Sequence, residues 1–106
     1  MNQERKDEIL DLFLPELRQR LGSHLKQVVL FGFRAGEDDV SGSEYDCVVV
    51  LDEASPALVD VIDKLAGEIL DQHNAAFSVF AISEETYRQQ TYAPFLMNVP
   101  REGIAL

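Results

Sequence analysis

The chain has 106 residues, nineteen of them acidic and nine basic, giving a net charge of −10, and 46% of its residues are hydrophobic. This length supports one hydrophobic core and therefore one domain spanning 1–106, and no apolar run approaches the roughly 20 residues of a membrane-spanning helix. Basic residues so few and so scattered argue against a direct grip on a nucleic-acid backbone, which is held by clusters of Lys and Arg.

The opening residues, Met1-Asn2-Gln3-Glu4-Arg5-Lys6-Asp7-Glu8, are charged rather than apolar, so no export signal is read there and a cytoplasmic location is expected. Ile9, Leu10, Phe13, Leu14, Leu17 and Leu21 recur at three- and four-residue intervals and predict an amphipathic helix stopped by Gly22. Pro15 lies within that pattern and lacks a backbone donor, which predicts a kink or a restart near Leu14. Val28-Val29-Leu30-Phe31 and Cys47-Val48-Val49-Val50-Leu51 are short apolar runs rich in β-branched residues, as in strands buried on both faces. Cys47, the only cysteine, is expected to be a buried, inert thiol.

Ser55-Pro56 supplies a helix N-cap followed by proline at the first helical position, and Leu58, Val59, Ile62, Leu65, Ala66, Ile69 and Leu70 continue as an apolar stripe. Ala76-Phe77-Ser78-Val79-Phe80-Ala81-Ile82 reads as a third strand, and Ser83-Glu84-Glu85 opens a short helix with acids at its positive end. The apolar tail, residues 95–106, reads as an edge strand or an interface. His24 and His73 fall near predicted helix ends, where a cation meets the dipole favourably. Tyr87 and Tyr92 suit packing or contact with a partner equally. The order helix, strand, strand, helix, strand, helix predicts an α/β fold, a small mixed sheet of three to four strands with helices packed on it. Strands two and three should be parallel through the helical crossover, and strands one and two antiparallel.

The candidate site is the segment 32–46, which leaves one strand and enters the next. Gly32 and Gly36 permit tight backbone and close approach of a ligand. Arg34 offers a positive fork suited to phosphate. Glu44 and Asp46 stand two residues apart at the start of a strand, so their carboxylates share one face, roughly 6 to 7 Å apart along it. Such a pair can hold a divalent cation, which in turn binds a nucleotide triphosphate. Composition and spacing alone also allow a polar hairpin in which these acids, with Glu37, Asp38 and Asp39, are merely solvated.

Leu30-Phe31-Gly32-Phe33-Arg34-Ala35, ten residues between Phe33 and Glu44, and Ser43-Glu44-Tyr45-Asp46 before an apolar strand together resemble the signature of the minimal nucleotidyltransferases of the DNA polymerase beta superfamily. That signature reads Leu-Phe-Gly-Ser-Arg-Ala, about ten residues, then Ser-Asp-x-Asp. Asn98-Val99-Pro100-Arg101-Glu102-Gly103-Ile104-Ala105-Leu106 is similar to the family's C-terminal pattern, so the resemblance runs through nearly the whole chain. It implies a nucleotidyltransferase fold, with Glu44 and Asp46 as catalytic residues and magnesium ligands. It places Gly32, Phe33, Arg34, Gly36 and Ser43 at the nucleotide, and Mg2+ and ATP as cofactors. Many short members are antitoxins that silence a HEPN-domain ribonuclease by transferring AMP to a tyrosine. The resemblance therefore implies a HEPN-type toxin as partner, in a homo- or hetero-oligomer, with a free-standing transferase acting on another acceptor as the alternative.

Three positions depart from the pattern. Phe33 stands where the family has a phosphate-binding serine, and a phenyl ring has no donor. Glu44 replaces the first aspartate and adds a methylene to a ligand of a geometrically demanding ion. Ser78 aligns with the third aspartate of many members and is no general base at neutral pH. The expectation is reduced or lost transfer: neutralisation by transfer of AMP from Mg-ATP to a toxin tyrosine if the site is active, and by binding alone if it is dead.

Overall fold

The computed structural model describes residues 8–34, 42–89 and 104–106. Helix α1 (Glu8–Leu21) is followed by a single 3-10 turn at Gly22–His24, and Gly22 has a left-handed φ of 59°, the conformation glycine supplies at a helix end. The helix continues through Pro15 with no restart. Proline removes one hydrogen-bond donor, but Pro15 is exposed, so water can meet the carbonyl it leaves unpaired. Phe13, Leu17 and Leu21 form the buried stripe.

Strands β1 (Leu25–Arg34) and β2 (Ser43–Leu51) pair antiparallel, helix α2 (Pro56–His73) crosses over, and β3 (Ala75–Ser83) returns parallel to β2. Helix α3 (Glu84–Gln89) follows, and β4 (Ile104–Ala105) adds antiparallel to β1, completing the order β3-β2-β1-β4. The fold is thus the expected mixed α/β sheet with helices packed on it. The end of the apolar tail is an edge strand, where Leu106 N–H donates to the Val28 carbonyl at 2.8 Å. The rest of that tail lies outside the described residues.

Two expectations need correction. β1 is ten residues long, not four, because its pairing with β2 carries Phe33 and Arg34 into the ladder opposite Tyr45 and Glu44. Leu70 does not join the buried stripe of α2. It is 49% exposed, and Ile62, Leu65 and Ile69 carry the contact. The start of α2 follows the sequence signal, Leu58 N–H donating to Ser55 Oγ at 3.3 Å, and at its end Asn74 takes the left-handed C-cap conformation.

α1 and α2 cover one face of the sheet, burying Val28, Tyr45, Cys47, Val49 and Leu51 in the main core. Four rings run through that layer. Phe13 stacks on Phe77 at 4.2 Å, Phe77 on Tyr45 at 4.5 Å, and Tyr45 meets Phe33 at 4.8 Å. On the opposite face Val29, Val48 and Val50 form a smaller cluster with Phe31, Ile82 and Tyr87. Tyr87 is therefore a packing residue, and Tyr92 lies outside the described residues. Burial pushes the Cys47 thiol up to about 12, so it stays protonated at neutral pH.

Candidate functional site

Side chains alternate along a strand, so Glu44 and Asp46 share the face of Val48, opposite the helix layer that buries Tyr45 and Cys47. The register then builds two rows across the sheet. Arg34 pairs with Glu44 and Glu44 with Ala76; Gly32 pairs with Asp46 and Asp46 with Ser78. Residues 32 positions apart in the sequence thereby lie side by side, because the parallel crossover returns Ser78 to the level of Asp46.

In the first row Arg34 Nη2 donates to Glu44 Oε1 at 2.7 Å. The bonded Glu44 carboxylate, followed by its charge, raises the Arg34 guanidinium above its ordinary value, so the candidate phosphate contact is held by the candidate metal ligand. Both side chains are well exposed, which leaves the pair open to competition from a ligand. In the second row the half-buried Asp46 lies directly over Gly32. A Cβ at Gly32 would come within 2.6 Å of Asp46 Oδ2, so glycine here makes room for the carboxylate rather than for a turn.

Phe33 and Ser43, expected at the nucleotide, are not brought into this cluster. Phe33 points to the helix side of the sheet, where its ring meets Tyr45, and it is 48% exposed. Ser43 opens β2 opposite Ala75, in alternation with Tyr45 and so on that same side. Gly36, with Glu37, Asp38 and Asp39, lies outside the described residues. Of the expected site, the structure therefore assembles Gly32, Arg34, Glu44 and Asp46, and adds Ser78.

Magnesium commonly takes one or two carboxylates, completing its shell with water and substrate phosphate. Glu44 and Asp46 fit one such ion if Glu44 releases Arg34. Among the described residues no group of three His, Cys, Asp or Glu side chains could hold a metal, so these residues offer no donor set for a two-ion clamp. At Ser78 the donor available is a hydroxyl, which is not a base at neutral pH.

Sequence reasoning missed a second side-chain pair at the far end of β2. His24 Nδ1 lies 3.0 Å from Asp52 Oδ2, and Asp52 N–H donates to the His24 carbonyl at 2.9 Å. Bonding to His24 holds the Asp52 carboxyl below its usual range. The two residues are 28 apart, and nothing local announces the contact. It ties the turn after α1 to the end of β2, away from Glu44 and Asp46.

Among the described residues, shallow clefts lie elsewhere. One of about 350 Å3 is lined by Arg18, Lys26, Gln27 and Leu106, and one of about 240 Å3 lies between α1 and α2 beside Leu12, Arg20, Glu68 and His73. No helix among the described residues is long and apolar enough to cross a membrane. In comparisons with protein-family models, curated proteins and solved structures, none matches this chain.

Proposed function

We propose that this chain is a minimal nucleotidyltransferase-like antitoxin of the cytoplasm, which neutralises a HEPN-type ribonuclease by binding it, on a scaffold that still takes a magnesium-nucleotide. The observation that carries the reading is the pair of rows Arg34-Glu44 and Gly32-Asp46-Ser78 on one face of the sheet. A phosphate-suited guanidinium, two carboxylates and a glycine cleared for one of them adjoin each other there.

The same rows argue for binding over turnover. When bound, magnesium would offset phosphate charge and polarise the phosphoryl oxygens. Asp46 and Glu44 would hold the ion, and Arg34, once released, would contact phosphate. An acceptor hydroxyl must also lose its proton, and Ser78 supplies no base for it. Phe33, turned to the other face, supplies no phosphate donor. The surviving carboxylate pair supports a second reading, slow transfer of AMP to a tyrosine of the toxin.

The test is to incubate the protein and the product of its neighbouring gene with magnesium and ATP, then examine complex formation and intact mass. A stable complex with unchanged mass is the expected result. AMP-sized gains on the partner that vanish in Asp46→Ala would favour transfer, and absence of both complex and gain would end the antitoxin reading.

A further inference from the structure

Arg34, Glu44 and Asp46 are the charged members of the two rows, which therefore carry two negative charges and one positive. Carboxylates set two apart on one face repel each other, and Arg34 answers both. Its Nη2 donates to Glu44 Oε1 at 2.7 Å. Asp46 stands diagonally across the strand pair, within reach of a long side chain, and its charge also bears on the guanidinium. In charge, the guanidinium thus does for the two carboxylates what a metal ion would do. A dication at the other Glu44 oxygen would stand beside that guanidinium, and the two positive charges would repel.

The pair is built unlike the one at Arg20. Arg20 bonds Glu16 on its own helix and Glu68 on α2, so its bonds join two elements. Arg34 is the last residue of β1 and bonds one oxygen of the residue that the ladder already sets opposite it, so its bond links nothing that is otherwise apart. Its side chain is 76% exposed and that of Glu44 57%, and exposed pairs of this kind are weak and readily exchanged. A guanidinium carries five donors, and its fork takes phosphate oxygens as well as it takes a carboxylate. We propose that the Arg34-Glu44 pair is a latch on the metal site: Arg34 holds Glu44 until a nucleotide phosphate draws the guanidinium away, so that Glu44 is released to magnesium as the phosphate binds and not before. The inference rests on the reading of the carboxylate rows as a magnesium-nucleotide site.

Calorimetric titration of the whole chain with Mg2+ alone, and with inorganic tripolyphosphate in saturating magnesium, tests this in the parent and in Arg34→Gln. The variant should bind Mg2+ alone roughly 5-fold tighter, the upper end for an exposed ion pair, and tripolyphosphate several-fold weaker. Rotation of the Arg34 guanidinium, followed by its side-chain nitrogen resonances, separates release of the bond from a mere change in local charge. In the parent that rotation should quicken as Mg2+ alone saturates the site. Equal Mg2+ affinity in parent and variant would overturn the latch and leave the metal site standing. Tighter binding by the variant, with rotation in the parent unchanged, would assign the gain to charge alone and reject the latch. Tripolyphosphate affinity unmoved by the substitution would rule out the exchange of Arg34 onto phosphate. Binding of neither probe to either protein would end both the latch and the magnesium-nucleotide reading.

Discussion

Asp46 and Gly32 illustrate how one residue's chemistry depends on its neighbour's lack of a side chain. Adding a methyl group at Gly32 would bring carbon to 2.6 Å from Asp46 Oδ2 and 3.2 Å from its Cβ. Because the carboxylate ends a short, rotatable side chain, it can swing aside, and the strand itself need not break. Gly32→Ala is therefore expected to yield a folded protein whose carboxylate is displaced. The melting temperature of the free protein should fall only slightly, while the rise produced by Mg-ATP should shrink to near nothing, since only ligand bound to the native state adds stability. A Mg-ATP shift as large as in the parent would show that Asp46 does not hold the ion. Arg34 is the other residue whose role depends on its partner: while bonded to Glu44 Oε1 it is a structural cation, and as a phosphate contact it must leave that bond.

Among the elements, α2 owes its limits to local chemistry and β1 does not. Ser55 accepts from Leu58 N–H, Pro56 occupies the first helical turn, and Asn74 closes the helix in the left-handed region. Each of these signals is read from a few adjacent residues. Ser55→Ala should cost about 1 kcal/mol of unfolding free energy, measured by urea denaturation with the slope unchanged. A loss under a few tenths would mean that packing of Ile62, Leu65 and Ile69 fixes the start of the helix by itself. β1 is different, because Lys26, Gln27 and Arg34 carry no apolar signal, yet all lie within the strand. Gln27 and Arg34 are taken into the ladder by pairing with β2, and Lys26 lies at a shift in its register.

For the whole molecule, the charge of −10 leaves few cations to join the layers, and Arg20 is one that does. It bonds Glu16 on its own helix at 3.1 Å and Glu68 on α2 at 2.8 Å, tying the two helices together over the sheet. The bond from Arg20 holds Glu68 below its ordinary value. A carboxylate with a lowered folded-state pKa adds stability that is present above its unfolded pKa and is lost as pH falls through the folded one. Glu68→Gln should therefore unfold at a lower temperature than the parent at pH 7, and the two melting curves should converge as pH drops below about 4. A gap independent of pH would point to altered packing rather than lost charge. Both groups are exposed, so the effect should be small and should weaken with salt.

The sequence by itself determined the order of the helices and the first three strands, most of the buried stripes of both long helices and the N-cap of α2, because periodicity and capping are local. It also determined that Glu44 and Asp46 share a face, since strand alternation needs no partner. Only the tertiary structure decided the rest. Pairing and register brought Arg34 onto Glu44 and Ser78 beside Asp46, and turned Phe33 away from the carboxylates. His24 and Asp52 likewise met only through folding. These relations join residues far apart in the chain, and their cause is the hydrogen-bond register between strands, which composition and spacing within a single strand do not encode.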